Sequence, residues 1–131
     1  MNYAIIGFGE IGQTLAKAFA RKGIAVSVAT TRDPQSFASA ATAIGPGITP
    51  TTLAEAVKAD VIFLAVRFQS HPDVAKALPS WQGKIIVDVT NAYGVPDEEL
   101  GGQPSARVVA RAFTGAKVVK GFNHLVAAVL D

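Results

Sequence analysis

Gly7-Phe8-Gly9-Glu10-Ile11-Gly12 sets three glycines in the spacing G-x-G-x-x-G near the start of a 131-residue chain. The chemistry of this spacing belongs to the backbone. Gly7 permits a tight turn, Gly9 has no side chain to hold a pyrophosphate away, and Gly12 lets a helix pack on the preceding strand. Free N–H groups and the dipole at a helix N-terminus then favour an anion. Phe8, Glu10 and Ile11 line the same turn on this reading. A plainer reading is a strand-to-helix turn with incidental glycines. The motif directly follows the strand-like run Met1–Ile6 and opens a helical pattern, which is the context that nucleotide binding requires.

A site for NAD commonly places Asp or Glu about 20 residues further on, at the end of the second strand, to hold the ribose 2′-hydroxyl. Here that strand ends in Val28-Ala29-Thr30-Thr31-Arg32, with two hydroxyls and a guanidinium and no carboxylate. Arg32 can grip a 2′-phosphate through paired N–H groups or stack on adenine, and Thr30 and Thr31 can donate to phosphate oxygens. A carboxylate there would repel the phosphate. The expected cofactor is therefore NADP(H), against the alternative of a merely polar loop. Asp33 is read as the N-cap of the next helix, with Pro34 at its first position.

In an open α/β sheet, ligands lie at the carboxyl ends of strands near the switch in strand order. After the fourth strand come Ala65, Val66, Arg67 and Phe68. Val66 and Phe68 can wall the cofactor; Arg67 reaches a phosphate or is an ordinary surface arginine. Thr90 and Asn91, after the fifth strand, suit a ribose or carboxamide, or else cap their own loop. Beyond the sixth strand come Gly121, Phe122, Asn123 and His124. Gly121 allows close approach, and backbone groups of Phe122 can fix a carboxamide. His124 is the catalytic candidate, because imidazole ionises in the range suited to proton transfer; a packing or capping role competes with that. His71, ahead of Pro72 at a helix start, is expected at the surface. The two histidines stand far apart without a metal-ligand spacing, so no metal site is expected. Without cysteine there is no disulfide framework, thiolate ligand or thiol nucleophile, and no G-x-S-x-G marks a hydrolase. The acidic run Asp97-Glu98-Glu99 reads as a solvated loop or helix start.

These residues need elements to position them. Strands are expected at Met1–Ile6, Ile24–Thr30, within Gly45–Thr49, at Asp60–Val66, Lys84–Val89 and Ala116–Gly121. Helices are expected at Glu10–Lys22, ending at Gly23, and at Asp33–Ile44. Others follow from Thr51 or Thr52 to about Lys58, at Ser70–Leu78, at Ser105–Phe113 and from Phe122. Asn91–Gln103 reads as a Gly- and Pro-containing loop. Strictly alternating strands and helices, with near-continuous apolar strands, argue a parallel sheet covered on both faces. The expected fold is α/β, a Rossmann-type doubly wound sheet of six strands in the order 3-2-1-4-5-6, occupying residues 1–131 as one domain.

Composition narrows the class. Half the residues are hydrophobic and 17 % are charged, which excludes intrinsic disorder. A formal charge of +2 without a basic stripe speaks against nucleic acid. No run approaches the roughly 20 apolar residues that span a bilayer, and no charged region of a signal peptide opens the chain. A cytoplasmic location is expected. The apolar stretch Phe122–Leu130 is expected to pack on a second copy, giving a homodimer, unless it folds back on its own sheet.

GFGEIGQTLAKAFARKG, ATTR, DVIFLAV, IVDVTNAYG and KVVKGFN together resemble the N-terminal domain of the deazaflavin (coenzyme F420)-dependent NADP oxidoreductase family over essentially the whole chain. The resemblance implies that Gly7, Gly9 and Gly12 line the pyrophosphate and that Thr31 and Arg32 hold the 2′-phosphate. It further implies that Val66 borders the cofactor and that Asn91 and Asn123 sit near the nicotinamide. It implies hydride transfer between NADPH and a flavin or deazaflavin ring, a reaction that needs positioning more than an acid or base. Relatives continue into a C-terminal region covering the acceptor, which this sequence lacks; Phe122-Asn123-His124-Leu125 is no fixed signature of the family. Two other readings stand beside the oxidoreductase. One is a non-catalytic NADP(H)-binding or sensing module. The other is a methyltransferase using S-adenosylmethionine, disfavoured because its second strand usually ends in an acid.

Overall fold

The structure is a computed structural model, and it describes residues 2–31, 33–66, 71–88 and 111–120. Six parallel strands form one sheet in the order β3-β2-β1-β4-β5-β6. They are β1 (Tyr3–Ile6), β2 (Val26–Ala29), β3 (Ile48–Pro50), β4 (Val61–Leu64), β5 (Ile85–Asp88) and β6 (Lys117–Lys120). Order reverses between β1 and β4, as in the Rossmann-type fold expected from the sequence.

Four α-helices accompany the sheet among the described residues: α1 (Glu10–Arg21), α2 (Ala38–Ile44), α3 (Leu53–Ala56) and α4 (His71–Ala75). On one face, Leu15, Ala16 and Phe19 of α1 and Ala41 of α2 pack with Ile5, Val28, Ile48 and Phe63. Phe19 meets the Phe63 ring edge-on, with centroids 5.4 Å apart. On the other face, Ala56 of α3 and Val74 of α4 pack with Ala4, Ile6, Ile62, Leu64 and Ile86. Successive strand residues point to opposite faces, so β4 must be apolar throughout, and all four of its residues are buried.

Local signals place the ends of the elements. Gly23, at φ 69°, closes α1: its N–H donates to the Ala20 carbonyl at 3.1 Å, and Ile24 N–H donates to the Phe19 carbonyl at 2.9 Å. This pair of bonds is a Schellman motif. Thr52 caps α3 by accepting the Glu55 N–H at 3.3 Å. The helix expected over Asp33–Ile44 is interrupted. Pro34–Ser36 forms a 3-10 turn, and α2 begins only after Phe37, whose φ of −133° is not helical.

Cover thins out along one row of the sheet. Ile5, Phe63, Val87 and Val119 lie side by side on the α1 face. Ile5 is fully buried, Val87 is half-buried and Val119 is 44 % exposed. No helix among the described residues is long and apolar enough to cross a membrane.

Candidate functional site

Strand register brings the site together. Ala29, Ile6, Leu64, Asp88 and Lys120 form one row across β2, β1, β4, β5 and β6. The residues that follow them, Gly7, Thr30 and Ala65 among those described, therefore leave the sheet at one end, beside the switch in strand order.

The three glycines act there in three different ways. Gly7 has a φ of 115°, a region that side chains avoid, and its N–H donates to the Ala29 carbonyl at 2.7 Å. A Cβ on Gly7 would overlap the Ala65 carbonyl and lie 3.0 Å from the Val66 nitrogen. Its bareness lets the ends of β1 and β4 close together. A Cβ on Gly12 would overlap the Gly7 carbonyl oxygen, so Gly12 seats α1 on the turn itself. A Cβ on Gly9 would meet nothing within 4 Å. Gly9 is the N-cap of α1 and supplies no side-chain cap. The first N–H groups of a helix have no partner within it. The open Gly9 Cβ position thus stands at the positive end of a twelve-residue helix. Two bonds brace the turn from behind: Gln13 Nε2 donates to the Phe8 carbonyl at 3.1 Å, and Gln13 N–H donates to the Gly9 carbonyl at 2.9 Å.

Beyond β2, Thr30 is buried and Thr31 is exposed. Asp33 acts as the expected cap, its Oδ1 accepting the Gln35 N–H at 2.9 Å, while Ser36 Oγ donates to the Asp33 carbonyl at 2.7 Å. Its carboxylate is thus committed to its own turn. Phe37, 5 % exposed, meets the half-buried Phe8 with ring centroids 5.5 Å apart and planes tilted by 35°.

At the β4 end, Ala65 and Val66 are half-buried, and Ala65 N–H donates to the Ile6 carbonyl at 2.8 Å. The structure thus brings Gly7, Phe8, Gly9, Gly12, Thr30, Thr31, Ala65 and Val66 to one end of the sheet. Arg32, Arg67, Phe68, Thr90, Asn91, Asn123 and His124 lie outside the described residues. So does the segment 122–130, expected to pair with a second copy. Nothing is described of the Glu10 and Ile11 side chains, whose backbones open α1.

His71 corrects an expectation. It is 4 % exposed rather than at the surface. It lies three residues before the buried Val74, and that spacing turns both toward the packed face of α4. Asp88 is a residue that reading strand ends for polar neighbours missed. It closes β5 fully buried and is engaged by another interaction, while its Oδ2 is buried without a hydrogen bond. A carboxylate inside the apolar run Ile85–Val89 was the available signal. Among the described residues, no three His, Asp or Glu cluster as metal ligands. A cleft of about 400 Å³ opens at the opposite end of the strands, lined by Tyr3, Ser27, Thr49 and Lys58 among others. Glu55 and Ala56 of α3 also line it.

Residues 2–92 match the family described as NADP oxidoreductase, coenzyme F420-dependent. The chain belongs to this family. It is accordingly a domain of this family with a Rossmann-type sheet. It is similar to a hypothetical protein of Sinorhizobium meliloti, with 41 % identity and a TM-score of 0.87 over 99 % of this chain and 65 % of that one. A candidate F420-dependent NADP-reductase of Arthrobacter is 27 % identical, with a TM-score of 0.75 over 98 % of this chain and 65 % of that one. The chain therefore spans 65 % of the length of these two proteins. A reductive aminase of Aspergillus terreus, solved with NADPH and ethyl levulinate, shares the fold at 22 % identity and a TM-score of 0.70, over 92 % of this chain and 40 % of that one. Comparison with curated proteins finds no match.

Proposed function

We propose that this domain holds NADP(H) across the carboxyl ends of its strands and serves hydride transfer to or from a flavin-like acceptor. One observation carries the reading: the open space at the Gly9 Cβ position, in front of the uncapped N-terminus of α1. It suits a pyrophosphate, which needs close backbone approach and N–H donors. Gly7 and Gly12 shape the turn, Thr31 and Arg32 hold the 2′-phosphate, and Ala65 and Val66 form the adjoining wall. On this reading Arg67 serves a phosphate, Thr90 a ribose or the carboxamide, and Asn91 and Asn123 the nicotinamide end. The family description supports the choice of cofactor and of a deazaflavin-type acceptor. When bound, the cofactor supplies a hydride to an electron-poor ring and becomes NADP⁺. The chain's own part is to bind, orient and separate the two phosphate ends, which is where a reaction of this kind gains most from a protein.

Thermal melting with NADPH, NADH and S-adenosylmethionine tests the reading. A ligand at a hundred times its Kd adds about 2.7 kcal/mol of stability. NADPH is expected to shift the transition most, and absence of a shift overturns the assignment. Arg32→Ala is expected to weaken NADPH binding at least tenfold while changing NADH binding little; equal losses would remove the 2′-phosphate role. Loss of nicotinamide absorbance with a flavin or deazaflavin then separates an enzyme from a binding module.

A further inference from the structure

Phe8 is the one residue with a side chain between Gly7 and Gly9, so its ring is the turn's available lateral anchor. That ring rests on Phe37, 29 positions later, with centroids 5.5 Å apart. Phe37 is itself firmly placed. It is nearly buried, it packs in the cluster with Leu15, Val28 and Ile48, and its N–H donates to the Pro34 carbonyl at 3.2 Å. Between Phe37 and the end of β2 stands the Asp33-capped 3-10 turn, a short arm of the chain. Thr31, the described residue of the 2′-phosphate pair, precedes that turn in the chain and is exposed. The ring pair therefore joins the segment that approaches the pyrophosphate to the segment that carries the 2′-phosphate candidates.

We infer that Phe37, through its contact with Phe8, is a positioning residue that sets the span between the pyrophosphate turn and the 2′-phosphate arm, and so contributes to the choice of NADP(H) over NAD(H). The inference rests on the proposed cofactor site. A ligand gripped at both phosphates needs both segments at a fixed separation at once. NAD(H) lacks the 2′-phosphate and is insensitive to the arm. An aromatic pair of this kind strengthens a contact by a factor of about two to ten beyond its area. Removing it should cost the doubly anchored ligand about that much and the singly anchored one little.

The test is a fluorescence titration of NADPH and NADH against the wild-type chain, Phe37→Leu and Phe37→Tyr. Leucine keeps apolar volume in the core and removes the ring; tyrosine keeps the ring. Phe37→Leu is expected to lower the NADPH-over-NADH preference about three- to tenfold, and Phe37→Tyr to retain it. Equal weakening of both cofactors, or an unchanged preference in Phe37→Leu, overturns the inference. If Phe37→Leu loses its cooperative melting transition, Phe8→Leu carries the same comparison from the half-buried side of the pair. A wild-type chain without preference for NADPH refutes the proposed cofactor site instead, which keeps the two failures distinct.

Discussion

Gly9 and Gly12 are the same amino acid three residues apart, and the structure gives a Cβ at each an opposite fate. At Gly12 it strikes the Gly7 carbonyl; at Gly9 it enters open space. Gly12→Ala should therefore act as overpacking and cost about 1–3 kcal/mol of stability in a denaturant titration. Gly9→Ser should leave the fold intact and add a few tenths of a kcal/mol, because serine is a slightly better N-cap than glycine. The same substitution fills the space and satisfies an N–H group that the proposed site offers to the pyrophosphate, so NADPH binding should fall at least tenfold. A stable Gly9→Ser that binds NADPH normally would detach this turn from the cofactor. Motif spacing already assigns the two glycines different roles; the structure supplies the physical terms, backbone against Gly12 and open space at Gly9.

Among the elements, caps decide where short helices stand. α3 has only four residues, too few to be held by its own propensity, and Thr52 supplies one of its N-terminal acceptors. Thr52→Ala should cost about 1 kcal/mol by thermal or chemical unfolding. Strand order and the glycine turn were legible in the sequence because buried parallel strands are apolar runs and the turn is a spaced motif. The break at Phe37 was not. An apolar residue between Ser36 and Ala38 fits a continuous helical pattern, and only its core contact and the Phe8 ring explain why the chain pauses there. His71 failed for a related reason: in a five-residue helix, one neighbour such as Val74 decides which way a side chain faces. Arg32 and the later strand ends were read by residue type alone.

At the scale of the molecule, two helical layers clasp one sheet, and the lone tryptophan ties the second layer to the connection entering β6. Trp81 Nε1 donates to the Ala75 carbonyl at 3.0 Å, and its ring meets Phe113 at 4.7 Å, tilted 67°. Trp81 N–H also donates to the Thr114 carbonyl at 2.9 Å. Trp81→Ala should therefore destabilise the whole fold by about 3–5 kcal/mol, measured by far-ultraviolet circular dichroism during unfolding. In the wild type, indole emission should move to the red in one step with the backbone signal. Separate transitions would mean that α4 and the β5–β6 half unfold apart from the rest.

Val119 stands 44 % exposed at the margin of the sheet, and Lys117 shares its side of β6 two residues earlier. An ammonium group beside an apolar strand margin repels the like margin of another molecule, a common guard against strand-to-strand aggregation. The guard is electrostatic and therefore soluble-ion dependent. Its reach shrinks from about 10 Å in 0.1 M salt to about 3 Å in 1 M salt, while salting-out ions strengthen apolar attraction. Colloidal behaviour should thus depend on ionic strength more steeply than a small net charge suggests, and concentrated sulfate is the condition under which these margins would be driven together.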